Sequence, residues 1–272
     1  MSNDNPTDLF DEYYYAHNCG RPYQRDDEWL KFFDGIAERI ATDIQPKSVL
    51  DAGCAWGFLV EGLRARGIEA YGVDVSEYAI QNVHESIKPY CWIGSITDPF
   101  PQNYELIVSI EVLEHMQKKD AEKALVNLDL HTDQILFSST PFDYRESTHF
   151  NVQDPHVWAE LFARMSFYRD VDFDASFITP WAVLFKKQET SKPRLIKNFE
   201  RKYWSLWKEN LDLRSLCLDL ETKIKYLENL ISLSDQKKDA LQSVSQELEK
   251  KEQLIKFLIK KLSSQVNEIN NE

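Results

Sequence analysis

The chain has 272 residues, 43% of them hydrophobic and 12% aromatic, enough to bury a sizeable core, and a formal net charge of −13. The charge is uneven: residues 1–190 hold 16 Lys and Arg against 32 Asp and Glu, a balance of −16, while residues 191–272 hold 16 against 13, a balance of +3. So acidic a front part repels a phosphate backbone and argues against nucleic acid as a partner. Cys19, Cys54, Cys91 and Cys217 form no C-x-x-C pair and no compact framework, and read as reduced thiols. Met1 to Pro6 has neither the basic start nor the apolar core of a signal peptide, and no stretch is apolar for long enough to span a bilayer. A cytoplasmic protein with no direct membrane span is expected.

In chain order, residues up to Asp11 are polar. Tyr13 to Arg25 is aromatic, punctuated by Gly20 and Pro22, and follows neither helical nor strand period; such a segment is expected to pack over something. From Asp26 to Ala41, Trp29, Phe32, Phe33, Ile36, Ala37 and Ile40 recur at helical spacing. Strands are then expected at 48–53, 70–75, 90–93, 104–110, 133–139, about 167–173 and 181–186, with helices at 57–66, 77–86, 119–130 and 155–164. This alternation predicts a mixed α/β sheet.

Residues 188–195 read as a polar hinge, and the rest as helix. Every seventh residue from Phe199 through Leu206, Leu213, Leu220 and Leu227 to Ile269 is apolar except Ser234, and a second row runs from Ile196 through Tyr203, Cys217, Ile224 and Ile231 to Val266. Such a heptad seam predicts a left-handed coiled coil over 196–272 and a homo-oligomer built through it. The seam weakens at Ser234, Lys238, Ser245 and Glu252, as a local break or as polar positions that set chain number. Two shorter helices folding back are the alternative.

The chemistry centres on Val49-Leu50-Asp51-Ala52-Gly53-Cys54-Ala55-Trp56-Gly57. An apolar run meets an acid, passes two glycines and opens a helix, which is how the strand, turn and helix of a ligand crevice read. A second strand ends at Asp74-Val75, where an acid accepts hydrogen bonds from ribose hydroxyls. The spacing does not fit the G-x-G-x-x-G of dinucleotide enzymes, since Ala55 stands where a glycine is needed. His149, beyond the expected end of strand five, is a side chain suited to taking a proton from a hydroxyl, with Tyr144, Arg145 and Asn151 placed to position an acceptor; a purely structural histidine is the alternative. His156 reads as part of a helix start. No metal-ligand set appears, because His149 and Asp154 lack the spacing of any zinc motif.

The D-x-G-x-x-x-G pattern of Asp51, Gly53 and Gly57, followed by Asp74, resembles motif I of the Rossmann-like S-adenosylmethionine (SAM)-dependent methyltransferases. Glu111-Val-Leu-Glu-His115 looks like the end of strand four in small-molecule methyltransferases of the ubiquinone-biosynthesis type. The stretch from Cys19-Gly-Arg-Pro-Tyr-Gln-Arg25 onward resembles bacterial methyltransferases encoded beside, or fused to, glycosyltransferases in polysaccharide clusters, over about residues 13–187. The resemblance implies a Rossmann-like sheet of about seven strands with helices on both faces at 48–187, behind an N-terminal lid segment and helix at 1–47. It implies SAM as cofactor, with Asp51, Gly53, Cys54, Ala55, Gly57, Asp74, Val75 and Glu111 around it and Ser95 and Ile96 at the adenine, Ser95 standing where an acid is usual. Tyr23 and Arg25 would face the methionine carboxylate, and Glu111, His115 and His149 would serve catalysis. Glu111 and His115, four apart, would share a face of one helical turn.

The resemblance implies methyl transfer to a hydroxyl, of a sugar in a surface polysaccharide or its precursor, with glycosyltransferase machinery as a further partner. A quinone or natural-product O- or C-methyltransferase, and a non-catalytic coiled-coil scaffold retaining the fold, are the alternatives.

Overall fold

The computed structural model describes residues 9–269, in two compact units, one ending at Phe199 and the other beginning at Glu200. The first unit opens with two helices, α1 (Glu12–His17) and α2 (Asp27–Arg39). Each starts where an aspartate caps it: the Asp11 carboxylate accepts from Tyr14 N–H, and that of Asp26 from Glu28 and Trp29 N–H. Helix α1 corrects the expectation that Tyr13 to Arg25 has no regular structure. Six residues are too few to show a period, and packing of the buried Tyr15 ring against Tyr23 and Tyr78 supplies what the pattern does not.

Seven strands follow, β1 (Ser48–Ala52), β2 (Glu69–Asp74), β3 (Cys91–Ile93), β4 (Leu106–Ile110), β5 (Gln134–Ser138), β6 (Phe167–Arg169) and β7 (Val183–Lys187), with helices α3 (Phe58–Ala65), α4 (Glu77–Gln81), α5 (Lys118–His131) and α6 (Pro155–Ala163) between them. They form one sheet in the order β3-β2-β1-β4-β5-β7-β6, in which β7 alone runs opposite to the other six strands. Alternate strand residues feed two cores. Val49, Val108 and Leu136 pack with Ile36, Ile40, Leu59 and Leu63 on one face, and Leu50, Ile107, Ile135 and Phe137 pack with Leu125, Leu128, Trp158 and Phe162 on the other. Each such fully buried side chain contributes about 1.5–3 kcal/mol.

The expected elements are present with shifted ends. Helix α4 stops at Gln81, and the turn after it lets Val83 and Ile87 reach the core. Strand β6 stops at Arg169, because the Asp170 carboxylate accepts from Asp172 N–H and pairs with Lys186, turning the chain away. The chain runs from β1 to β2 on one side and later enters β4 on the other, so a crevice opens between the carboxyl ends of β1 and β4.

Helix α7 runs unbroken from Lys192 to Ile269, 78 residues or about 115 Å. It starts inside the segment read as a hinge, leaving only 188–191 outside regular structure, since Pro193 in a first turn lacks no needed N–H donor. Ser234, Lys238, Ser245 and Glu252 lie within the continuous helix. Every side chain from Glu200 to Phe257 is exposed, including the seam residues Leu206, Leu213, Leu220 and Leu227. Among the described residues no helix is long and apolar enough to cross a membrane.

Candidate active site

The loop after β1 is held by β2. Gly53 and Cys54 N–H both donate to Val73 O, and Ala55 N–H donates to Asp74 Oδ2 at 2.8 Å. Gly53 and Ala55 both take left-handed backbone, and a Cβ on Gly53 would stand 2.4 Å from Val112 Cγ2. Gly57, also left-handed, makes room for Ile87 and Cys91 beneath the loop and does not line the cavity.

Asp51 and Asp74 sit side by side in the crevice, both buried. Burial first, and the neighbouring Asp74 second, push the Asp51 carboxyl up to about 8. Asp74 is also raised by burial, against the backbone N–H groups of Ser76, Ala55 and Val75 that favour its charged form. Ser76 N–H donates to Oδ1 and Ala55 N–H to Oδ2, with Val75 N–H beside them, and the carboxylate keeps acceptor capacity for a ligand hydroxyl.

Above this wall lies a cavity of about 1060 Å³ that joins Asp51, Gly53, Cys54, Ala55, Asp74 and Val75 to Ser95 and Ile96, to Tyr23, and to Glu111, His115 and His149. Tyr23 is buried among aromatic rings, stacked on Phe58 at 5.3 Å, and burial raises its phenol strongly. Ser95 Oγ is paired with Thr97 Oγ1 at 2.8 Å. Arg25 is not brought here, contrary to expectation: its guanidinium is held bidentate by Glu61, at 2.6 and 2.7 Å, and satisfied on α3.

The opposite wall is built where β4 ends. Glu111 adopts a left-handed backbone and accepts from Trp181 Nε1 at 3.0 Å, and Leu113–His115 form a 3-10 turn. Glu111 and His115 therefore do not share one helical turn, yet both face the cavity. Thr140 N–H donates to Glu114 Oε1, and the fully buried Glu114 carboxyl is raised far above the usual range by burial and by Glu111.

Hydrogen-bond roles fix the tautomers of both histidines. The Thr148 hydroxyl donates to Glu146 Oε1, which can only accept, so it receives the Nδ1 proton of His115 at 2.9 Å. His115 Nε2 then carries the lone pair, 3.3 Å from the Tyr14 hydroxyl. Burial first, and His149 second, depress His115 to about 4. His149 donates its Nδ1 proton to Asp143 O at 2.7 Å, so in the neutral ring Nε2 carries the lone pair, and its ring packs on His115 at 4.5 Å.

Three placements correct the sequence reading. Tyr144 and Arg145 are exposed and do not line the cavity. Asn151 is buried, donating its amide N–H to Leu113 O and its backbone N–H to Glu114 O, so it braces the turn instead of meeting an acceptor. Asp154 precedes α6 and pairs with His156, but Glu114, His115 and His149 bring ligand atoms within 4.8 Å of one another, so a candidate metal-ligand set forms after all. Tyr14, Thr148 and Trp181 were not foreseen. Tyr14 lies in the aromatic segment already singled out, whereas Thr148 and Trp181 carry no sequence signal.

Residues 23–172, more than half of the chain, match the methyltransferase-domain family, and the chain belongs to it. It is 28% identical over 90 residues to a ubiquinone biosynthesis O-methyltransferase of Idiomarina loihiensis, covering 30% of this chain and 37% of that protein. It is 25% identical over 113 residues to a magnesium-protoporphyrin O-methyltransferase of Rhodobacter capsulatus, covering 39% and 50%. The matches thus span between about a third and a half of these curated relatives. Among solved structures, a magnesium protoporphyrin IX methyltransferase of Synechocystis PCC 6803 with bound SAM superposes with a TM-score of 0.52 at 14% identity, over 68% of this chain and 97% of that one. That likeness shows the Rossmann-like fold.

Proposed function

We propose that this protein transfers the methyl group of SAM to a hydroxyl oxygen. The observation that carries the reading is the single cavity whose one wall is the Gly53–Ala55 loop with Asp74 and whose other wall is Glu111, His115 and His149. Bound SAM supplies a methyl group on a positively charged sulfur. Asp74 would accept from the ribose hydroxyls, with the Gly53–Ala55 loop and Ser95 and Ile96 as the residues that would hold the nucleoside. His149 Nε2 is the lone pair available to the acceptor's hydroxyl proton, held in that tautomer by Asp143 O. A general base contributes about 10² to 10⁴ in rate, and most of the rest comes from alignment in a closed site.

For the acceptor we favour a sugar hydroxyl of a surface polysaccharide or its precursor. The sequence resemblance supports it, as does Phe150, an exposed ring after β5 that lines the cavity and offers a stacking face to a pyranose. A quinone is the second reading, favoured by the names of the curated relatives and by the same ring. The exposed heptad seam of α7 supports a homo-oligomeric coiled coil that spaces catalytic units along glycosyltransferase machinery in the cytoplasm.

Calorimetric titration with S-adenosylhomocysteine (SAH) tests the cofactor half. Wild type should saturate, and Asp74→Ala should bind at least about 30-fold more weakly, since hydrogen bonds to a charged group are worth about 1.5–3 kcal/mol each. His149→Ala should retain SAH and lose turnover. Absence of SAH binding in wild type would leave only the scaffold reading.

A further inference from the structure

Helix α5 turns Ala121, Ala124, Leu125 and Leu128 to the core, and Asn127 lies buried with them. A buried amide costs free energy unless its donors are met, and asparagine is a poor helix former, so a leucine there would serve packing better. The side chain turns both of its N–H donors to one short stretch. Asn127 Nδ2 donates to Ile96 O at 3.0 Å and to Asp98 O at 2.6 Å. That stretch is the turn after β3, closed by Asp98 N–H donating to Ser95 O at 3.0 Å. Ser95, Ile96 and Thr97 line the cavity, and Asn127 stands behind them, outside it.

The peptide unit between Ile96 and Thr97 is planar, so holding its oxygen also aims its N–H. Asn127 holds the oxygen, and the Thr97 N–H donates to Ser95 Oγ at 3.2 Å, with Ser95 Oγ and Thr97 Oγ1 paired at 2.8 Å. Whichever hydroxyl gives its proton to the other, the pair keeps one O–H donor and at least one lone pair for a ligand. The amine edge of adenine carries an N–H donor beside a ring-nitrogen acceptor, which is the complement of such a pair.

We propose that the Ser95–Thr97 hydroxyl pair meets the amine edge of the SAM adenine and that Asn127 is its positioning residue, an assignment that rests on the methyltransferase reading. The pair stands where an acid is usual. A carboxylate offers acceptors only, whereas two hydroxyls offer both roles and owe their direction to the turn that carries them. Asn127 supplies that direction through the Ile96 carbonyl and pins the far end of the turn through the Asp98 carbonyl.

A double-mutant cycle, read by calorimetric SAH titration of the full-length protein, tests this. Ser95→Ala with Thr97→Val removes the pair, and it and Asn127→Leu should each weaken SAH at least about fivefold, the worth of one hydrogen bond. Because Asn127 acts through the pair, adding Asn127→Leu to the pair variant should cost no more than about a further twofold, whereas independent losses multiply. Asn127→Ser, which keeps one donor on a shorter arm, carries the same comparison where melting shows the leucine variant to be unfolded. Leu125→Val, in the same core but off the turn, should lower Tm and hold SAH within about twofold. Losses that multiply, SAH affinity unchanged in the Asn127 variants, or equal weakening by Leu125→Val would each overturn the assignment and leave the methyltransferase reading standing. Wild type that binds no SAH defeats that reading and the assignment with it.

Discussion

The Tyr14 hydroxyl lies 3.3 Å from His115 Nε2, across 101 positions of sequence, and so ties helix α1 to the turn that ends β4. Asn18 reinforces the tie by donating to Glu146 Oε1 at 2.8 Å, the same oxygen that accepts from Thr148. The N-terminal segment thus reaches His115 and Glu146 through hydrogen bonds and Trp56 of the loop after β1 through the rings of Tyr15 and Tyr23.

Tyr14→Phe keeps the ring contacts with Phe10 and Tyr15 and removes only the hydroxyl. One hydrogen bond is worth about 1 kcal/mol, so Tm should fall by about 2–4 °C while SAH affinity stays within about twofold. A melting curve and a titration check both. A tenfold loss of SAH affinity would place Tyr14 on the cofactor instead of on His115.

Asp51 predicts a pH-dependent difference. Its carboxyl ionises near 3.9 in an unfolded chain and near 8 in the fold, so the native state binds more protons between those values. Its contribution to stability is full below pH 4 and is lost as pH rises toward 8. Asp51→Asn does not titrate, so its Tm relative to ligand-free wild type should climb across pH 4–8, by about 10–20 °C. A difference that is flat with pH refutes the raised pKa.

Gly53→Ala combines a left-handed backbone at φ 95 with a Cβ 2.4 Å from Val112 Cγ2. Strain and overpacking together should cost about 2–3 kcal/mol. Tm should drop by about 5–10 °C, and SAH binding should weaken because Val112 adjoins Glu111. Unchanged melting would show that the loop has room to move.

Leu213→Glu with Leu220→Glu puts charge into the centre of the heptad seam. Light scattering should give a multiple of the 31.9 kDa chain mass for wild type and the single-chain mass for the variant. A wild type that is monomeric at working concentration removes the coiled coil.

The sheet was legible because Val, Ile and Leu runs ending in Asp51, Asp74 and Glu111 alternate with helical periods, and each core strand sends alternate residues to two faces. Ends were less legible where a side chain breaks the pattern, as Asp170 does after β6. Arg25 was misplaced because sequence shows a guanidinium near an acidic site but not that Glu61 lies closer.

The sequence by itself determined the Rossmann-like order of elements, the loop from Asp51 to Gly57, the acid at Asp74 and the seam of α7, because each is written in neighbouring residues or a fixed period. Only the tertiary structure decided that Glu114 is sealed from solvent beside Glu111, that His115 and His149 both turn Nδ1 to anchors, and that Tyr14 meets His115. Those relationships join residues up to 101 positions apart, and they exist because folding excludes water and leaves each polar atom to the partners the chain brings beside it.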